Sequence, residues 1–166
     1  MRSKKEVILQ PYNTGPFAMW PLWLKVVLSK FWVAGAAFYF VGFGMPQLGQ
    51  GVVDKIFTLG LILGPLNAII IYPFIKYLCR SEDKAEEFMF IKNNSALRII
   101  LHVLYNWLVI IIIAYSYQLI NFVINAMMHY EKGVIKFGVE PIFFGGFYLL
   151  FDYLLIKMRR KFHQKG

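Results

Sequence analysis

The sequence predicts an all-α polytopic membrane protein: a four-helix transmembrane bundle preceded by an N-terminal interfacial amphipathic helix. Three observations carry this. Only 16% of the 166 residues are charged while 58% are hydrophobic, against about a quarter charged in a soluble domain. The apolar residues fall in four blocks nearly free of charge, Phe31 to Met45, Ile56 to Ile75, Ile99 to Ile120 and Ile142 to Ile156. The basic residues are sorted between the segments that separate those blocks. This composition argues against a disordered chain, a disulfide-built secreted scaffold and an ordinary water-soluble enzyme.

A helix crossing a hydrocarbon layer of about 30 Å needs about 20 residues. The spans are placed near 31–47, 56–77, 98–122 and 141–158. Arg2, Lys4, Lys5, Lys25 and Lys30 precede the first span, and Lys55 stands alone in the first loop. Lys76, Arg80, Lys84, Lys92 and Arg98 surround the second loop, Lys132 and Lys136 lie in the third, and Lys157, Arg159, Arg160, Lys161 and Lys165 form the tail. Fifteen basic residues thus face one side and three the other. Short loops rich in Lys and Arg stay in the cytoplasm, so both termini and the middle loop are expected inside. The net charge of +9 is then chiefly a topology signal and an attraction to anionic headgroups, with no nucleic-acid partner expected. Lys-over-Arg usage and compact loops are compatible with a bacterial cytoplasmic membrane.

Residues 17–30, FAMWPLWLKVVLSK, are read as an in-plane interfacial helix. Lys30 would otherwise sit too deep to snorkel, Pro21 suits a first helical turn, and Trp20, Trp23, Leu24, Val27, Leu28 and Phe31 share one face. The competing picture is one tilted span from about residue 22 to 45. The N-terminus is basic, but no small-x-small site follows an early apolar run, so no cleaved signal peptide is expected.

The middle loop, residues 79–96, concentrates acid at Glu82, Asp83, Glu86 and Glu87, followed by Phe88. Ser81 with acids behind it reads as a helix start, and a short amphipathic helix would present Ala85, Phe88 and Ile91 to the membrane or a partner. A solvated connector is the simpler alternative. The single cysteine, Cys79, excludes an intrachain disulfide; it is read as a small apolar residue at a helix end, although a thiol at a membrane edge is also an acylation candidate.

Ionisable groups inside spans are functional candidates by default. Asp152 lies five residues before the tail's basic run and His102 four residues after Arg98, which puts Asp152 and His102 at similar depth. Asp152 could meet His102 or Arg98, with Asn106 one turn beyond His102, as an ion or proton site. Alternatively, Asp152 pairs with a snorkelling basic residue to fix helix packing. Gln118, Asn121, Asn125 and His129 share one face of the third span and its continuation; interhelical hydrogen bonding explains such a stripe, as would a substrate or headgroup contact. Asn67, after Gly64 and Pro65, marks a bent polar point in the second span. Gly60 and Gly64 form a small-residue step that favours tight packing within the chain over dimerisation.

The metalloprotease, nucleophile-elbow and phosphate-loop motifs are absent from the sequence. His102 and His129 are about 40 Å apart along one helix, too far for shared haem ligation. No metal site or cofactor is expected. The leading functional expectation is a non-enzymatic accessory or structural subunit of a larger membrane complex, binding other membrane subunits or further copies of itself. Next comes a small oligomeric transporter or channel using Asp152, His102 and the Asn121 stripe, and third an enzyme acting on lipid-linked substrates at the inner interface.

Overall fold

The architecture is taken from a computed structural model that describes residues 19–44, 51–91, 97–128 and 141–163. His129, residues 164–166 of the basic tail and residues 92–96 of the middle loop lie outside the described residues. Among the described residues the chain is helical, with no strand, and four helices are long and apolar enough to cross a membrane: Leu22–Phe43, Val53–Cys79, Arg98–Met128 and Pro141–Phe162.

Helix α1 (Leu22–Tyr39) starts after Pro21, whose carbonyl accepts the first helical N–H groups, and continues into a π-helical stretch, Phe40–Gly44. This corrects the division of the N-terminal region: what the sequence separates into an interfacial helix and a span is one unbroken helix, as in the competing picture. The reason lies at Lys30. It is only 6% exposed and is held by an acidic partner inside the bundle, so it has no need to reach the headgroups.

The second candidate span has three parts. Helix α2 (Val52–Pro65) begins with Asp54 in its first turn, a favourable placement against the helix dipole. It widens into a π-helical stretch, Leu66–Ile71, in which the Tyr72 N–H bonds to the Asn67 carbonyl five residues back, and then resumes as α3 (Tyr72–Cys79). Pro73 supplies the cause of the widening: it lacks an N–H and its ring clashes with the carbonyl four residues earlier, which a locally wider turn relieves. Arg80 ends α3 in the left-handed conformation, at φ 54°. A short helix, α4 (Glu82–Glu86), follows Ser81, which occupies the cap position without a side-chain capping bond. Helices α5 (Arg98–Met128) and α6 (Pro141–His163) complete the set.

The spans close into a ring in which α2 packs on α5 and α1 on α6 most extensively, with lesser α5–α6 and α1–α2 seams. Small residues set the two tight seams. A Cβ on Gly60 would fall 1.9 Å from Trp107 Cδ1, and one on Gly64 would fall 2.7 Å from the Val103 Cα. Across the other seam, a Cβ on Gly35 would meet the Pro141 carbonyl at 3.1 Å and one on Gly145 the Phe31 ring at 3.0 Å. The Gly60–Gly64 step thus serves packing within the chain. Between the seams lies an apolar core containing Ala34, Leu59, Leu63, Val109, Ile113 and Phe144, with Phe38 stacked on Phe144. Where backbone atoms are this close, added volume has nowhere to go. Gly64→Val should destabilise the protein by about 1–3 kcal/mol through overpacking, whereas Gly146→Ala, where a Cβ meets nothing within 4 Å, should be neutral or slightly stabilising. Thermal unfolding of both variants in the same detergent checks this.

Candidate functional site

The interior polar groups gather in two layers. In the first, Lys30 from α1 donates to Asp152 Oδ2 at 2.6 Å and Tyr105 from α5 donates to Asp152 Oδ1 at 2.5 Å. Both oxygens of the carboxylate are therefore engaged, one by an ammonium and one by a phenol. Lys30 Nζ also donates to the Phe88 carbonyl, so the segment after α4 reaches the same point. Asp152 is 5% exposed and lies midway along α6. A carboxylate at this depth is tolerable only with such partners.

The second layer is neutral. Asn67 Nδ2 donates to Asn106 Oδ1 at 3.0 Å and to the Tyr148 hydroxyl at 2.8 Å, and that hydroxyl donates to Asn106 Oδ1 at 2.7 Å. Asn106 Nδ2 turns back to the His102 carbonyl one turn earlier. The π-helical stretch aims Asn67 into this ring; all three side chains are buried. Such bonds between spans contribute about 0.6–2 kcal/mol each.

His102 is 1% exposed, and its Nε2 has no hydrogen-bond partner among the described residues. It lies within electrostatic range of Lys30, Arg98 and Asp152. Of the two possibilities for Asp152, the structure gives it Lys30 and Tyr105 and not His102 or Arg98. The alternative in which Asp152 fixes helix packing through a basic residue matches this geometry, with one difference: Lys30 is buried instead of snorkelling. Tyr105 and Tyr148 escaped the sequence reading because tyrosine is common in spans and no spacing marks one that points inward.

The loop between α3 and α5 folds back over this end of the bundle. Ala85 and Met89 are buried against Val26, Ile75 and Cys79, with Phe88 packed beside them, and Ile91 joins the main core. The apolar side that the sequence offers to membrane or partner is thus covered by the chain's own helices. Phe90 stacks on Tyr105 at 4.6 Å between ring centroids, and the Arg159 guanidinium lies 5.9 Å from the Phe90 centroid. Arg159 donates to the carbonyls of Phe90 and Glu86, and Arg160 to that of Glu87. At the start of α4, Glu82 accepts from Lys76 at 2.6 Å and from Tyr72 at 3.2 Å. The Lys76 ammonium, by hydrogen bond and charge and with help from the Tyr72 hydroxyl, holds the Glu82 carboxyl below the usual glutamate range. Asp83 and Glu87 face outward, and Glu86 is half-buried. Cys79 is buried beneath this loop, in surroundings that fit a packing residue.

The far end of α5 differs. Gln118 is exposed, Asn121 half-buried, and Asn125 Oδ1 is enclosed without a hydrogen-bond partner among the described residues. Between them Leu119, Phe122, Val123 and Met127 are open, Phe122 at 72% and Met127 at 77%. The stripe is therefore shared between enclosed and open positions. Among the described residues no cluster of three or more His, Cys, Asp or Glu side chains could hold a metal ion.

Removing one charge from the Lys30–Asp152 pair should cost about 3–5 kcal/mol, because the other is left buried and uncompensated. Asp152→Asn combined with Lys30→Met removes both charges and keeps an acceptor for Tyr105, so the double variant should recover most of the stability lost in Asp152→Asn alone. Denaturant unfolding in micelles of the wild type, both single variants and the double variant closes the cycle; simple additivity of the two losses would show that the charges are uncoupled. Comparison with protein-family models, with curated proteins and with solved structures finds no match for this chain.

Proposed function

We propose that this protein is a non-enzymatic accessory subunit of a larger membrane assembly, inserted with both termini in the cytoplasm and joined to its partner through the distal end of α5. The observation that carries this is the length and surface of that helix. At 1.5 Å per residue the 31 residues of α5 extend about 46 Å, some 15 Å beyond a hydrocarbon core of about 30 Å. Its distal turns expose Leu119, Phe122 and Met127 beside the amide face of Gln118 and Asn125. Large apolar side chains left in water forgo about 1.5–3 kcal/mol each relative to burial, and mixed apolar and amide surface suits a protein contact better than either lipid or solvent. The distribution of basic residues supports the orientation: with Lys30 left out because the fold buries it inside the bundle, fourteen lie toward one side and three toward the other. A photo-crosslinking residue at Phe122 should yield a discrete protein adduct in the native membrane, while one at Tyr153, exposed on the middle of α6, should yield lipid adducts only. Lipid adducts alone at Phe122, together with a partner-free monomer in native mass measurements from mild detergent, would refute the accessory role.

One observation favours a second reading, a small oligomeric transporter. His102 Nε2 is buried without a hydrogen-bond partner among the described residues and lies within electrostatic range of the Lys30–Asp152 pair, an arrangement in which a proton or small ion could be exchanged. His102→Gln should then abolish pH-dependent flux in reconstituted vesicles, with thermal unfolding of the same sample showing that the variant is folded. Unchanged flux removes this reading.

A further inference from the structure

Residues 81–91 rest on both groups that hold the buried carboxylate. The Phe88 carbonyl accepts from Lys30 Nζ and the Phe90 ring stacks on Tyr105, and Lys30 and Tyr105 are the two donors to Asp152. Beneath this contact Lys30 is 6% exposed and Asp152 5%, and His102 Nε2 is buried without a hydrogen-bond partner among the described residues. Away from the segment, along α6, Asp152 is followed by Tyr148 of the amide layer and then by Phe144 of the apolar core. The polar interior is therefore closed by packed helices in one direction and by residues 81–91 in the other.

The way the segment is bonded lets it move as a unit. Its backbone bonds run within it, from Ala85 to Ser81, Phe88 to Ala85 and Met89 to Glu86. Side-chain donors from the spans tie it down: Arg159 to the carbonyls of Glu86 and Phe90, Arg160 to that of Glu87 and Lys30 to that of Phe88. The Glu86 charge adds to the hold on Arg159, and at the other end Glu82 pairs with Lys76 on the surface, where their side chains are 44% and 47% exposed. A carbonyl released by an arginine is met by water, so these ties break without leaving a buried group unsatisfied. Arg80 ends α3 immediately before the segment, in the left-handed conformation at φ 54°. The chain can change direction there with no helix to unwind, as at other hinges. Ala85 and Met89, packed on Val26, Ile75 and Cys79, supply the apolar contact that favours closure.

We infer that residues 81–91 form a lid that lifts from Arg80 and admits water to Lys30, Asp152 and His102 from the tail side alone. The buried charges give the lid something to oppose. An ion pair held away from water forgoes its hydration, and the hydration regained on opening offsets part of the contact that is lost. His102 Nε2 acquires a partner in the same event. The amide layer and the apolar core stay packed, so the pair is wetted from one direction only. The inference concerns access to the ionic layer, and it stands apart from which protein α5 meets and from whether an ion is carried.

The experiment places the full chain in phosphatidylcholine nanodiscs, where both faces meet solvent, and follows three signals. Cys79 is the single cysteine and is buried against the lid, so its alkylation by N-ethylmaleimide reads the lid's edge. Amidation of Asp152 by a water-soluble carbodiimide and glycine methyl ester, located by peptide mass spectrometry, reads the ionic pair. Hydrogen exchange of residues 105–113 reads the bundle. The thiol rate is referred to a free thiol in the same sample and the carboxyl rate to exposed Asp83. Arg159→Gln/Arg160→Gln should accelerate both reactions by the same factor, about tenfold, with exchange at 105–113 unchanged. In wild type, raising the salt from about 0.1 M to about 1 M shortens the screening length from about 10 Å to about 3 Å and should accelerate both about threefold by weakening the charged ties. This salt series needs no variant, and it decides the matter should the double variant fail to fold. Faster labelling of Cys79 with Asp152 unchanged would show that the segment does not govern access to the pair. Exchange at 105–113 rising in step with the labelling would show access by unfolding of the bundle. Either result overturns the inference, as does labelling that stays constant across the salt series.

Discussion

A carboxylate and an ammonium buried together in an apolar bundle restrict everything around them. Neither Lys30 nor Asp152 could occupy its depth alone, since an isolated charge there would be driven to neutralise or to find water. Their contact therefore requires α1 to be a member of the bundle, with its first turns continuous with its last. It requires α6 to present the middle of its length to α1, and the small surfaces at Gly35 and Gly145 let the two backbones approach. The pair also recruits Tyr105 from α5 and the Phe88 carbonyl from the loop, so one ionic contact ties three spans and the loop that leads from the second span to the third.

The neutral layer of Asn67, Asn106 and Tyr148 complements it. The ionic layer joins α1, α5 and α6; the amide layer joins the second span to α5 and α6. Each set omits a helix that the other includes, and together they cover all four. Apolar packing in lipid is permissive about register, because a lipid tail is as good a neighbour as leucine. Directional bonds are not, and a one-residue rotation of α5 would break both layers, since Tyr105 and Asn106 are adjacent. The π-helical stretch belongs to the same constraint. Pro73 makes the widening necessary on its own helix, and the widening turns Asn67 inward where α5 offers an amide.

How much of this was legible follows from which signals are local. The four apolar blocks and the Gly60–Gly64 step are local, and the helices and the α2–α5 seam lie where they indicate. The loop helix beginning after Ser81 is local as well. Partner identity is not. Lys30 looked like a charge to be kept out of the membrane, because its neighbours in sequence offer no counterion and its partner is 122 residues away. The same fact leaves Asp152's basic partner unnamed in the sequence: pairing with a basic residue is legible, that the residue is Lys30 is not. A lysine eight residues into an apolar helix and an aspartate central in another were the available signal, and pairing them across the chain would have merged the interfacial helix with the first span. Ala85, Phe88 and Ile91 are apolar and packed, but α4 ends at Glu86, so they do not share one helical face: Ala85 and Phe88 meet the α1 and α3 surfaces and Ile91 the main core.

The lengths of the spans lead one step further. α1 with its π-helical extension and α6 each hold 23 residues, about 35 Å, whereas α5 holds 31, about 46 Å. A long helix ordinarily meets a membrane by tilting. Here α5 cannot tilt far relative to its neighbours, because Gly60 and Gly64 hold it against α2 at near-contact distance and the ionic and amide layers fix it to α6 within two turns of each other. The surplus length is consequently displaced to one end, beyond Tyr117, which still packs on the core and edge-on to Phe147. The constraints that close the interior are thus the same ones that carry the distal turns of α5 to its margin, which makes the exposed surface there a product of the fold and not an independent appendage.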